Sequence, residues 1–271
     1  MIVDGFNASL RAAVSALARL FEPLHPLAGL AVISVAIGVA MLWVVGKTSN
    51  QAAIARAKKR MQAHLLEMRL YNDEPGLLLR AQGHLLANNA RYLGHMLRPA
   101  LVLALPMVVL YAHFDAVYGR RPLRVGESAL VSAYTEFTGE ALALTAPEGF
   151  VVESVSVTTA STDEVVWRIR ATGEGVADLG LETPDGVVWK SAVSGSGTQY
   201  VSASRSRSWW ERLLLAPGES GYDSAAVRSL EIHYPTREVG IGGWNTHWVI
   251  WFLGISILSA FFLKGLFGIV L

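Results

Sequence analysis

The sequence predicts a membrane protein of mixed α and β structure. It should have three transmembrane α-helices, a cytosolic helical hairpin and an extracytoplasmic antiparallel β-sandwich. Three observations carry this. Three apolar stretches are long enough to cross a bilayer. A basic segment with helical periodicity separates the first two. A segment with two-residue periodicity and frequent turn signals separates the second from the third.

The composition agrees. Charged residues make up 17% of the chain, against about 25% in ordinary soluble proteins. Apolar residues make up 52%, and there is no cysteine. Disulfides, thiolate metal sites and a cysteine nucleophile are therefore excluded. A net charge of +1 conceals an asymmetry. Residues 47–98 carry nine Lys/Arg and three acidic residues, whereas 119–246 carry eleven basic and sixteen acidic ones.

A spanning helix needs about 20 mostly apolar residues, because the hydrocarbon core is about 30 Å thick and a helix rises about 1.5 Å per residue. Leu27–Val45 has no charge and ends at Gly46-Lys47, giving a first span over 27–46. Its length, late start and lack of a basic leader distinguish it from a signal peptide. The second span covers 99–118 and carries His113 and Asp115 near its end. The third lies in 244–271, with its apolar core at Trp248–Leu263. The positive-inside rule puts the basic 47–98 link in the cytoplasm. The N-terminus and residues 119–243 are then outside, and the C-terminus inside. Trp244, Trp248 and Trp251 are interfacial anchors at the outer end of the third span, and Lys264 anchors its inner end.

Residues 1–26 form an amphipathic N-terminal segment. Phe6, Leu10, Val14, Leu17 and Leu20/Phe21 recur at helical spacing, with Asn7 or Ser9 placed to cap the start. Two readings stand side by side: the helix lies in the outer membrane interface, or it packs on the outer domain. Asn7-Ala8-Ser9 also matches a glycosylation sequon, a pattern of low specificity.

In 47–98, Ile54, Met61, Leu65 and Met68 fall on one face of a first arm. Leu78, Leu85/Leu86, Leu93 and Met96/Leu97 fall on one face of a second. Pro75 suits the first turn of the second arm, with Asn72 or Asp73 as its cap. The two arms can zip into an antiparallel coiled-coil hairpin. The basic patch Arg56, Lys58, Lys59 and Arg60 either anchors to anionic lipid headgroups or contacts a nucleic acid or ribosome.

In the outer domain, short β-branched and aromatic runs begin at Phe150, Glu164, Gly186 and Ser229. Turn signals at Ala146-Pro-Glu-Gly, Thr172-Gly-Glu-Gly, Thr183-Pro-Asp-Gly and Ser194-Gly-Ser-Gly separate them. Trp167 and Trp189 are expected in the core, and Ser208–Leu215 as a short helix. Trp209 and Trp210 either touch the bilayer or pack in the core.

No catalytic, cofactor or metal constellation is present. The seven histidines are scattered, and no phosphate-binding loop, dinucleotide fingerprint, nucleophile elbow or zinc-protease motif occurs. No ionisable residue falls at mid-bilayer, which disfavours a proton relay or ion pathway. The candidate positions at membrane level are Ser34, Met107, His113 and Asp115.

The order of parts resembles the YidC/Oxa/Get/Alb superfamily of membrane insertases, and within it the minimal three-span members. The likeness covers roughly residues 50–112. It rests on topology and on Asn88-Asn89-Ala-Arg91-Tyr-Leu, Leu97-Arg-Pro99 and Leu105-Pro106, which look like the family's entry into the second span. The resemblance implies a hairpin and a membrane groove that receive nascent substrates. Bacterial insertases hold a basic residue in that groove, whereas the polar content of Leu27–Val45 here is essentially Ser34. An outer domain of about 120 residues also stands where the family usually has a short connection. Expected partners are the bilayer and other membrane proteins, nascent or assembled, but not DNA. The function expected is non-enzymatic: membrane protein biogenesis, or a scaffold subunit docking through the β-sandwich.

Overall fold

The computed structural model describes residues 2–21, 26–71, 73–136, 142–154, 156–159 and 163–268. The helices are α1 (Ile2–Leu20), α2 (Pro26–Thr48), α3 (Gln51–Leu70), α4 (Pro75–Phe114), α5 (Trp209–Leu214) and α6 (Trp248–Leu263). The strands are β1 (Ser128–Thr135), β2 (Ala143–Thr145), β3 (Phe150–Val152), β4 (Val157–Thr159), β5 (Glu164–Ala171), β6 (Gly175–Thr183), β7 (Gly186–Ser194), β8 (Ser204–Ser206), β9 (Val227–Ile232), β10 (Glu238–Ile241) and β11 (Trp244–His247). The chain forms two compact units: Met1–Leu30 with Val108–Trp251, and Ala31–Met107 with Phe252–Leu271. Three helical segments are long and apolar enough to cross a membrane: Leu27–Thr48, Pro75–Gly119 and Trp248–Phe267.

In the helical unit, Asn50 caps α3 by accepting a hydrogen bond from the Ala53 amide at 3.0 Å. Pro75 opens α4, where its missing N–H costs nothing. Asn72, one of the two expected caps, lies outside the described residues. The seam between α3 and the first half of α4 is a heptad pattern. Ile54, Ala57, Met61, His64 and Met68 on α3, and Leu78, Ala81, Leu85, Asn88, Tyr92 and Met96 on α4, are all buried or half-buried. His64 and His84 stack across it, with centroids 5.4 Å apart. Leu65, Leu86, Leu93 and Leu97, expected in the seam, are exposed instead. Ala57 and Ala81 are buried in their place, a choice of face that leucine spacing alone does not reveal.

The expected boundary between residues 98 and 99 falls inside α4, which runs unbroken through Pro99 and Pro106. A proline in a helix interior removes one hydrogen bond. Apolar membrane helices tolerate this because neighbouring groups re-satisfy the freed carbonyl. In the same unit α2 meets α6 through small residues. Ser256 Oγ donates to the Ser34 carbonyl at 3.1 Å. A Cβ on Gly38 would lie 2.5 Å from Ser259 Oγ and 3.1 Å from the Ser256 carbonyl oxygen. Contacts advance together along both helices, from Ser34–Ser256 to Gly38–Ser259, so α2 and α6 run parallel.

The other unit holds three antiparallel sheets: the two-stranded pair β10-β11, and two larger sheets about one core. One has strand order β3-β5-β1-β9-β8, with β4 also on β5; the other is β2-β6-β7. Trp167, Ile169, Val131, Leu230 and Ile232 from the first sheet meet Leu179, Leu181 and Val188 from the second. The Thr183-Pro-Asp-Gly turn joins β6 to β7, with Thr183 opposite Gly186. Trp189 corrects the sequence expectation. It is 52% exposed and its ring lies over Gly180 on β6, 3.0 Å from where a Cβ would sit. Strand parity explains this, because neighbours of an outward Trp189 must point inward, and those are Val188 and Lys190.

The α2–α6 contact yields a test. Gly38→Val should destabilise the protein by about 1–3 kcal/mol through overpacking, read as a lower thermal midpoint in detergent by tryptophan fluorescence. Gly254→Ala on α6, where a Cβ meets nothing within 4 Å, should leave the midpoint in place. Equal effects would mean that the small-residue contact does not hold the pair.

Candidate functional site

The β unit is entered and left at adjacent points, and polar groups hold them together. α4 ends in a π-helical turn, Asp115–Gly119. One Asp115 oxygen accepts from Arg120 Nε at 3.1 Å, and the other accepts from Trp248 Nε1 at 3.2 Å. Gly119 permits this closeness: a Cβ there would lie 2.1 Å from the Asp115 carboxylate and 2.8 Å from the Trp248 indole nitrogen. The backbone closes around the same point. Arg237 N–H donates to the Gly119 carbonyl at 2.8 Å, Arg121 N–H donates to the Pro235 carbonyl at 3.1 Å, and Arg120 bridges Thr236.

The three tryptophans therefore differ. Trp244 is exposed, as an anchor requires. Trp251 packs edge-on against it at 5.3 Å and donates to the Val239 carbonyl at 2.9 Å. Trp248 is 1% exposed, with its ring against Tyr111 and Phe114, so it belongs to the clasp. His113 is likewise fully buried, its Nδ1 sharing a 2.8 Å hydrogen bond with the Tyr200 hydroxyl. His113 and Asp115 thus join the β unit's base.

A second polar centre escaped the sequence reading. Lys190 is 0% exposed; its ammonium pairs with Glu219 and donates to the Ser202 carbonyl at 2.8 Å. Burial pushes the Lys190 ammonium down from its ordinary value, and Glu219 opposes that. The only sequence signal was the parity of β7. Beside this pair a cleft of about 1260 Å³ separates α1 from the sheet edge. Its walls mix hydrogen-bonding groups, among them Asn7, Arg11, Tyr200 and Glu219, with apolar ones such as Val176 and Val193. Asn7, a candidate cap and glycosylation acceptor, is instead 2% exposed inside α1, where its Nδ2 donates to the Arg212 carbonyl at 3.0 Å. Its interior position in α1 excludes the cap, and its burial excludes glycosylation of the folded chain.

In the helical unit, Ser34 is fully buried at the α2–α6 contact and lines no open groove. Met107 is half-buried. Arg56, Lys58, Lys59 and Arg60 are all exposed along α3. Lys264 sits with its ammonium 4.2 Å from the Phe261 ring centroid. A feature the sequence reading placed elsewhere stands out on α4. Leu79, Leu86, Leu93, Leu97, Leu101 and Leu105 are 57–70% exposed and follow one face. Among the described residues no three His, Asp or Glu side chains gather to hold a metal ion.

Two outcomes follow for the β unit. Asp115→Ala should cost about 1.5–3 kcal/mol, the loss of hydrogen bonds to a charged group. It should be non-additive with Trp248→Phe in a double-mutant cycle, because the two share one contact. Additive losses would separate Trp248 from the clasp. Arg121 forks onto Glu127, with Nη–O distances of 2.7 and 2.8 Å. This holds the Glu127 carboxyl down at about 2, below its ordinary 4.5. A depressed carboxyl stabilises the fold above its ordinary range and loses that contribution as pH falls through the folded value. Stability should therefore drop between pH 4.5 and about 2, and Glu127→Gln should flatten that part of the profile in acid unfolding followed by circular dichroism.

Compared with protein-family models, curated proteins and solved structures, the chain matches none of them.

Proposed function

We propose that this protein is a non-enzymatic, insertase- or chaperone-like factor in the biogenesis or assembly of membrane proteins. The observation that carries the reading is the leucine face of α4. At about 1.5 Å per residue the helix is about 60 Å long, twice the hydrocarbon thickness of about 30 Å. Half of its apolar face therefore stands outside lipid. Arg80, Arg91 and Arg98 are its only charges, since α4 contains no acidic residue. An exposed apolar stripe with cationic flanks, running without a break from the hairpin into the membrane, suits the reception of an apolar segment from another protein. The resemblance to the YidC/Oxa superfamily points the same way.

In this reading the helical segments beginning at Leu27, Pro99 and Trp248 cross a bacterial cytoplasmic membrane. The basic hairpin and the C-terminus are cytoplasmic; the N-terminus and the β-sandwich are outside. The parallel course of α2 and α6 is what such a three-span path requires. The basic patch at Arg56, Lys58, Lys59 and Arg60 meets anionic headgroups, with ribosome contact as its second use.

A specific observation favours a second reading, a scaffold subunit of a larger membrane complex docking through its β-sandwich. Ser34 is buried against α6, and α2 carries no charge before Lys47, so the chemistry of a bacterial insertase groove is missing from this helix pair. Photo-crosslinking separates the readings. A reactive side chain at Leu86 or Leu93 should capture newly synthesised membrane proteins, and one at exposed Glu67 on α3 should not. Capture of none, beside an active insertase as control, removes the first reading. A strictly monomeric mass after gentle detergent extraction removes the second.

A further inference from the structure

Helix α1 has two committed faces. One docks on the β unit. Asn7, Val14 and Ala18 are buried there, the Arg212 guanidinium approaches Asp4 to 3.4 Å, and Arg11 donates to the Gly218 carbonyl at 2.7 Å. The other face is an uncharged stripe at alternating four- and three-residue spacing: Phe6, Leu10, Ala13, Leu17 and Leu20. At about 100° per residue it lies roughly a third of a turn from the docked face and away from the flank that borders the cleft. Phe6, Leu17 and Leu20 are exposed although the helix is fixed in place. Docking has therefore consumed the more polar face and left the apolar one open.

We infer that this stripe is seated in lipid, and that α1 clamps the β unit onto the bilayer surface from which α2 enters. Position argues for lipid over a protein partner. α1 ends at Leu20 and α2 begins at Pro26. The Phe21 side chain occupies the space beside Gly29, its Cβ 2.7 Å from where a Gly29 Cβ would lie. The last turn of α1 is thus pinned to the first turn of a helix long and apolar enough to cross a membrane, so Leu17 and Leu20 stand at the depth where hydrocarbon begins. An amphipathic helix held at that depth buries its apolar side at the headgroup–acyl boundary. Composition agrees, since Arg11 and Arg19 both lie off the stripe. So does the neighbouring α5, which carries exposed Trp209 and Trp210, the residue type enriched at membrane interfaces. The inference rests on α2 being a span but not on any insertase role.

The absence of cysteine makes the test clean. Nitroxide labels are placed singly at Ala13 and Leu17 on the stripe, at Ala12 and Ala16 off it, and at Val32 on α2. The full-length protein is then reconstituted in phosphatidylcholine vesicles. Stripe labels should collide with oxygen, which partitions into lipid, several-fold more than with an aqueous nickel chelate. Labels at Ala12 and Ala16 should show the reverse. Equal access of the chelate to both sets would overturn the clamp. So would dipolar broadening between Leu17 labels that disappears on dilution with unlabelled protein, which would assign the stripe to a second copy. The Val32 label reports the span itself, so a failure of α2 to sit in lipid is read separately.

Discussion

The carboxylate of Asp115 sets the condition for the rest of this architecture. A β unit inserted between two long apolar helices must leave the first and rejoin the second within a few ångströms. One side chain meets that demand from both directions, holding Arg120 just after α4 and Trp248 at the start of α6. Gly119 makes the closure possible, because any side chain would displace either the carboxylate or the indole. The local π-turn follows from the same need. An extra residue in the last turn re-aims the chain, and such bulges commonly mark positions under special constraint. The entry and exit segments then pair through backbone hydrogen bonds, and the sheets are built outward from that closed base.

Much of this was legible in the sequence where a single periodicity governs. The three apolar stretches, the paired arms around Pro75 and the strands at Glu164 and Gly186 came from spacing alone. What stayed hidden depends on which of two similar faces turns inward. On α4, Leu85 and Leu86 are neighbours of equal hydrophobicity, yet Leu85 is half-buried and Leu86 exposed. On β7 the largest apolar residue, Trp189, points outward because its neighbour Lys190 finds Glu219 and a carbonyl inside. Such a choice is settled by a partner 29 residues away, which no local pattern announces. The Asp115 clasp is harder still, since His113, Asp115 and Trp248 each read locally as interfacial residues.

The buried polar groups share a logic. Lys190 is stable inside the β unit only because a carboxylate and carbonyls replace its water. Removing one partner would leave the other charged and dry, a more costly state than losing both. The α2–α6 contact uses the opposite device, small side chains that let two backbones approach and exchange a serine hydrogen bond. Specificity in the β unit thus comes from charge, and at the α2–α6 contact from shape.

The strand order has a consequence in time. β1 lies at the centre of its sheet, flanked by β5, which follows closely, and by β9, which ends at Ile232. During synthesis the first neighbour arrives early and the second only after almost the whole insert has emerged. Until then β1 has one open edge, and such edges recruit wrong partners. The base cannot close before Trp248, the first residue of the last apolar helix, reaches Asp115. Completion of this fold therefore registers the arrival of the third apolar segment, and a chain truncated before it is left with an unlocked base.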